Sequence, residues 1–184
     1  MQIQNILETF NPDQVNIFNL LEKETKYQFR VPTGVGKGYV MISHILNSII
    51  NSDLKTFTIA SHRLSLNNQH LRDIIELSIK LGLIGKVKFL TVGSAALNTS
   101  KILEENLELN KLFNKSLFEY NKDLDIKSRI NSSNIFKSSL LKSEINQILK
   151  ENSNSKNKQF NIVIIGVILI ILHVNQSIIQ NANF

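Results

Sequence analysis

The densest glycine cluster of the sequence, residues 32–38 (PTGVGKG), combines the residue types that bind phosphate in proteins. Glycines let consecutive backbone N–H groups converge on an anion, because no Cβ atom stands in the way. A helix that begins directly after such a loop points its positive N-terminus at the same anion. Lys37 would then reach the terminal phosphates of a nucleotide, where its charge offsets the charge that develops during phosphoryl transfer. The cluster therefore predicts a nucleotide-binding loop with Lys37 as catalytic residue, against the alternative of a glycine-rich turn with an incidental lysine.

Two positions depart from the usual phosphate-loop pattern G-x-x-x-x-G-K-[ST]. Val31 stands at the first glycine, and Gly38 stands where serine or threonine normally offers its hydroxyl to Mg²⁺. Magnesium would then bind through the nucleotide, through water and through an acidic residue elsewhere. The sequence therefore supports nucleotide binding more strongly than hydrolysis.

A second polar group, Ser61, His62 and Arg63, follows an apolar run. We expect Ser61 to cap the helix that begins near Arg63, which leaves His62 and Arg63 exposed at the carboxyl end of a strand. Open α/β sheets bind ligands at that edge, so Arg63 could meet a phosphate there. The alternative is an ordinary capping segment with a solvated histidine and arginine.

The histidines and acidic residues do not predict a metal site. His44 and His70 are expected on helix surfaces, and no grouping of His, Asp and Glu has the spacing of metal ligands. The absence of cysteine excludes a disulfide scaffold and Cys-ligated zinc. The net charge of +6 is spread along the chain, which fits either a nucleic-acid surface or a solvated, mildly basic one.

The hydrophobic pattern predicts the elements that position these residues. Strands are expected over 27–31, 54–60 and 86–92, and they alternate with helices over 39–50 and 63–81. A further helix is expected to start at Asn11-Pro12-Asp13. Strands and helices that alternate at this spacing indicate an α/β fold with a mostly parallel sheet flanked by helices.

The chain divides by composition into three parts. Residues 1–99 carry the predicted core, residues 100–159 form a polar stretch expected as an insertion of amphipathic helices, and residues 160–184 are apolar and strand-like. The apolar run 162–172 is shorter than the roughly 20 residues of a spanning helix and is rich in Ile and Val, which favours a buried strand. A short membrane anchor is the alternative. The N-terminus lacks the features of a secretory signal, so we expect a cytoplasmic protein.

Three runs, PTGVGKG, SHRLSLNNQ and FLTVGS, together resemble the N-terminal half of the first motor domain of superfamily 2 helicases. The likeness is to the DEAD/DEAH-like group that includes the ATPase subunits of restriction enzymes. The first run matches motif I of that family, and Arg63 with Gln69 lies in a segment similar to its motif Ia. The resemblance covers about half of the chain, from Gln14 to Ser94.

This resemblance implies a partial RecA-like P-loop domain that binds ATP with Mg²⁺ and contacts DNA or, less expectedly, RNA as a single strand or duplex. The implied ATP-binding residues are Gln14 as the adenine-reading glutamine, Pro32, Thr33, Gly34, Val35, Gly36, Lys37, Gly38 and Tyr39. The implied nucleic-acid-binding residues are Ser61, His62, Arg63, Gly93 and Ser94.

The acidic DExH or DExD strand of the family does not occur in the sequence. Asp123 and Asp125 are the nearest acidic pair, but no apolar strand precedes them. We therefore expect an interrupted motor domain that binds ATP and hydrolyses it poorly alone, with the missing second motor domain or other subunits as partners. The alternatives are a non-enzymatic basic module with a relic P-loop, which binds nucleic acid or a partner, and a membrane-anchored P-loop protein.

Overall fold

A computed structural model describes residues 2–23, 34–51, 55–93, 97–155 and 159–167. The chain divides into two compact units, Met1–Asp53 and Leu54–Phe184.

Three helices make up the described part of the first unit: α1 (Ile3–Leu7), α2 (Pro12–Lys23) and α3 (Lys37–Asn51). Ile17 and Phe18 of α2 pack with Val40 of α3 in a small apolar cluster. The predicted helix start at Asn11-Pro12-Asp13 is confirmed, since α2 begins at Pro12. The strand expected over 27–31 lies outside the described residues.

The described part of the second unit is built on a four-stranded sheet, which confirms the predicted α/β fold class with helices on a parallel sheet. The strands are β1 (Thr56–Ser61), β2 (Val87–Val92), β3 (Phe136–Leu140) and β4 (Asn161–Val167). Their order is β1-β4-β2-β3, and every pairing is parallel. The helices of this unit are α4 (Leu64–Lys80), α5 (Thr99–Glu104), α6 (Leu107–Asn121), α7 (Ser132–Ile135) and α8 (Lys142–Asn154).

The composition of each strand follows from its place in the sheet. In the central strand β4, Ile162 and Ile164 pack against Ile145 and Ile148 of α8. The alternate β4 residues on the other face are buried as well, which is why this strand is a continuous apolar run. In β1, which lies at one side of the sheet, buried Ile59 alternates with exposed neighbours. The prediction of a buried strand is thus confirmed for the described part of the run 162–172.

The stretch 100–159 differs from the expected purely helical insertion, because it also supplies β3 to the sheet. This strand reads FKSSL, and only Phe136 and Leu140 at its two ends are buried. Among the described strands, β3 pairs with β2 alone, and a strand at the edge of a sheet needs little apolar surface. The polar sequence of β3 therefore did not predict a strand. Within the ranges that the structure describes, no helix combines the length and the apolar character needed to cross a bilayer.

Candidate functional site

The glycine loop is described from Gly34 onwards, and two of its glycines have positive φ angles. Gly34 and Gly36 have φ angles of 91° and 82°, in the left-handed region that favours glycine. The helix α3 begins directly afterwards at Lys37, and the Gly36 carbonyl accepts hydrogen bonds from the backbone N–H of Tyr39 (3.0 Å) and Val40 (3.2 Å). Gly36 is therefore the residue from which the first helical turn starts. Pro32 and Thr33 lie outside the described residues.

Charge and exposure at this helix start suit an anion. The first turn of α3 contains no acidic residue, so nothing there opposes the positive end of the helix dipole. The side chain of Lys37 is exposed, and Gly38 follows it in the first turn. Val35 packs against the Ile17 cluster, and the Tyr39 ring meets Phe10 edge-on at 5.9 Å. Val35 and Tyr39 thus fix the loop and the helix to the rest of the unit.

Gln14 lies against the same loop. An added Cβ atom on Gly36 would come within 2.6 Å of Gln14 Nε2. The carbonyl oxygen of the Gln14 side chain, Oε1, accepts a hydrogen bond from the backbone N–H of Asn11 (2.9 Å). The backbone N–H of Gln14 donates in turn to Asn11 Oδ1 (2.9 Å). This reciprocal cap starts α2 and holds the Gln14 side chain in place. The structure therefore brings Gln14 and Gly36 together, and adenine reading by Gln14 stays a prediction.

The Ser61 cap predicted for α4 is wrong. Arg63 occupies the N-cap position without a side-chain cap, and Ser61 Oγ donates to Arg63 O (2.8 Å) and accepts from Arg63 N–H (3.3 Å). Two residues, His62 and Arg63, separate the end of β1 from the start of α4. The Ser61 hydroxyl therefore reaches the backbone of Arg63 and not the first turn of α4. Ser61 is buried, whereas His62 and Arg63 are exposed as expected.

Asn67 is a structural residue that sequence reasoning missed. Its side chain is fully buried on α4, where Nδ2 donates to the Gly166 carbonyl at 2.9 Å and to the Ser61 carbonyl at 3.4 Å. Asn67 thus ties α4 to β1 and β4 at their carboxyl ends. The signal was available, because Asn67 occupies the helical position four residues before buried Leu71.

His70 lies inside the unit and not on a helix surface, which corrects the expectation. The residue is 9% exposed, and its Nδ1 has no hydrogen-bond partner among the described residues. Burial lowers the pKa of His70, and the negative charge of Asp73 opposes that shift. Burial likewise raises the pKa of Asp73, against the effect of the nearby His70. The prediction failed because periodicity locates the buried face from apolar residues and assigns polar ones to the surface.

Hydroxyl groups organise the carboxyl ends of β2 and β3. Thr91 Oγ1 donates to the Leu97 carbonyl (2.6 Å) and accepts from Ser139 N–H (3.0 Å). Gly93, with a φ of 67°, donates its N–H to the Leu140 carbonyl (3.2 Å). The backbone N–H that Gly93 would offer a nucleic acid is thus used within the sheet, and Ser94 lies outside the described residues.

A groove of about 390 Å³ separates α4 from α5. Gln69 and Arg72 line one side, and Lys101 and Glu105 line the other. Glu105 lies 3.1 Å from Arg72 and 3.8 Å from Lys101, so the two cations are partly neutralised. The groove therefore has little net charge, and its remaining polar groups are the side-chain amides of Asn68, Gln69 and Asn98.

The described residues supply no ligand set for Mg²⁺. No group of three His, Asp or Glu side chains that could hold a metal ion occurs among them. Asp123 lies in the turn that follows α6, and Asp125 precedes a short 3-10 turn, so no strand positions either carboxylate. Position 36 of the glycine loop requires glycine, because an added Cβ atom would come within 2.6 Å of Gln14 Nε2.

Comparison of the chain with protein-family models, with curated proteins and with solved structures found no match.

Proposed function

We propose that the chain binds ATP through the glycine loop and works as the P-loop part of a RecA-like, nucleic-acid-dependent ATPase. The observation that carries the proposal is the pair of left-handed glycines, Gly34 and Gly36, directly before α3 with Lys37 as its first residue. Each feature also occurs in ordinary turns, but anion-binding loops combine all of them, and that combination supports the proposal.

The chemistry assigned to the loop is electrostatic. Backbone N–H groups at the start of α3 would donate to phosphate oxygens, and the Lys37 ammonium would neutralise charge on the terminal phosphate. Magnesium, when bound with the nucleotide, would supply further neutralisation. Gly38 offers it no hydroxyl, so the proposal includes weak hydrolysis by this chain alone.

His62 and Arg63 are proposed as the nucleic-acid contact beside the sheet. Both side chains are exposed directly after β1, and the buried Ser61 hydroxyl holds the backbone of Arg63. An arginine so placed can donate two parallel hydrogen bonds to one phosphate. DNA is the preferred ligand on the resemblance, and RNA is the alternative.

Substitution of Lys37 tests the nucleotide site. We expect Lys37→Ala to weaken the binding of a fluorescent ATP analogue by about tenfold to a hundredfold, the loss for a charge-assisted hydrogen bond. Titration of the full chain, followed by fluorescence, measures this change. Lys23→Ala is the matched control, because Lys23 is an exposed lysine in the last turn of α2.

Two results would contradict the proposal. One is equal affinity of the wild type and Lys37→Ala for the analogue, and the other is no binding by the wild type. Nucleic-acid binding that survives either result would favour the non-enzymatic basic module instead.

A further inference from the structure

The helix α6 is fixed to the second unit by one side only. Leu109 and Phe113 are buried, and the ring of Phe113 lies 5.4 Å from that of Phe136. Near the end of the helix, the ring of Tyr120 packs directly on the backbone of Gly85. These contacts set the rotation of α6 about its axis, and they leave its opposite side exposed.

The exposed side combines large apolar groups with positive charge. At 100° per residue, six side chains fall within an arc of roughly 100°, which we name the α6 outer face. They are Leu107, Lys111, Asn114, Lys115 and Phe118 of α6, and Lys122, its C-cap residue, whose backbone is still helical. Leu107 is 74% exposed and Phe118 is 66% exposed. No contact within the described part of the chain accounts for a phenylalanine exposed to that extent.

The acidic residues of this stretch, Glu108, Glu119, Asp123 and Asp125, lie outside the arc that defines the α6 outer face. Lys111 pairs with Glu108 at 2.8 Å, but both side chains are largely exposed, so the pair is weak. Lys115 and Lys122 form no ion pair with any described residue. Glu108 and Glu119 lie on the flank of the face. From Lys111 to Lys122 the helix rises about 16 Å, a distance over which a nucleic-acid strand carries several phosphates.

We propose that the α6 outer face binds single-stranded nucleic acid, with one base stacked on Phe118 and the phosphates near Lys115 and Lys122. Proteins that bind single strands combine an aromatic platform with a basic surface in this way. A duplex fits less well, because its bases stack on one another and cannot reach Phe118. The surface lies apart from Arg63 in sequence, and its ligand class rests on the proposed function.

An anionic membrane surface fits the α6 outer face less well than a nucleic-acid strand. A helix that lies in a membrane interface presents a continuous apolar side to the acyl chains. The continuous apolar side of α6, with Leu109 and Phe113, is buried in the protein. The outer face offers Leu107 and Phe118 with lysines between them.

Fluorescence anisotropy of the full chain with a labelled oligo(dT) single strand tests the proposal. We expect Phe118→Ala to weaken binding by about tenfold and Phe118→Tyr to retain it, because tyrosine keeps the stacking surface. Lys115→Ala and Lys122→Ala should each reduce the slope of log K against log salt by about 0.7. Leu141→Ala, an exposed apolar residue elsewhere, and Lys150→Ala are the matched controls.

Equal affinity of Phe118→Ala and the wild type for oligo(dT) would overturn the proposal. Sedimentation of the wild type with phosphatidylserine vesicles, without binding to oligo(dT), would also overturn it and assign the face to lipid. ATP-analogue binding on the same samples separates this proposal from the nucleotide site. Loss of oligo(dT) binding in Phe118→Ala with ATP binding intact supports the α6 outer face, whereas failure of ATP binding alone counts only against the glycine loop.

Discussion

At the scale of single residues, burial sets the protonation of His70. Burial lowers the pKa of His70 in the folded chain, whereas in the unfolded chain the imidazole titrates near its ordinary value of about 6.5. The unfolded state therefore takes up this proton first as the pH falls. The stability that neutral His70 contributes is complete above about pH 6.5 and is lost as the pH falls towards the lower folded pKa.

We expect the free energy of unfolding to fall as the pH drops below about 6.5, and His70→Gln to remove much of that fall. Urea unfolding followed by circular dichroism at several pH values measures it. Asp73, whose pKa is raised by burial, acts with the opposite sign as the pH falls towards its own range. An unchanged pH dependence in His70→Gln would contradict the assignment.

Residue types alone were sufficient to locate the glycine loop, but they did not locate Asn67 or His70. Positive φ angles at Gly34 and Gly36 follow from local chemistry, which a short motif encodes. A buried polar side chain depends instead on partners far along the chain, such as the Gly166 carbonyl that Asn67 reaches. Sequence spacing cannot supply those partners.

At the scale of elements, Asn67 joins one helix to two strands. Asn67→Ala would leave the Gly166 and Ser61 carbonyls without this donor, in a position that water does not readily reach. We expect a loss of about 1–3 kcal/mol in the free energy of unfolding, measured by urea denaturation. Asn68→Ala changes the neighbouring, less buried amide and should cost under about 0.5 kcal/mol. Equal losses for the two variants would show that the bond to Gly166 contributes nothing.

The turn between α4 and β2 offers a second test, because its two glycines differ in their surroundings. Gly82 and Gly85 both have positive φ, at 69° and 93°, but an added Cβ is unobstructed at Gly82 and overlaps the Tyr120 ring at Gly85. We expect Gly82→Ala to cost about 1–2 kcal/mol in the free energy of unfolding through backbone strain alone. Gly85→Ala should cost about 1–3 kcal/mol more, because the ring of Tyr120 must move.

Thermal or urea unfolding of both variants measures the difference, and Tyr120→Ala provides the control. In that background the ring is absent, so Gly85→Ala should cost about as much as Gly82→Ala. If the extra loss persisted without the ring, contact with Tyr120 would not be its cause, and the packing that orients α6 would be in doubt.

The elements themselves could be predicted to different extents. The central strand β4 was predictable because burial on both faces demands a continuous apolar run, and IVII provides one. The strand β3 was not predictable, because FKSSL buries only its two ends and lies in a polar stretch. The start of α4 was misplaced by one residue because the role of Ser61 depends on where β1 ends.

At the scale of the whole molecule, the hydrophobic pattern predicted the class of fold but not the order of the strands in the sheet. Alternating strands and helices indicated parallel pairing, which every described strand follows. No local signal predicted that β4 would lie between β1 and β2. The position of β4 depends on its packing against both α4 and α8, which lie far from it or from each other along the chain. The net charge of +6 fitted either a nucleic-acid surface or a solvated basic one and gave no location. The outward side of α6 is defined only by its buried side.

The sheet order also bears on how the chain is made. Ile162 pairs with Thr56 on one side and with Lys88 on the other, so β1 and β2 are neighbours of β4 and never of each other. During translation both strands leave the ribosome long before the segment that joins them. Their edges and apolar faces remain without the central strand throughout that interval, when intermolecular pairing competes with folding. The nascent chain can therefore complete this sheet only after residue 167 has emerged.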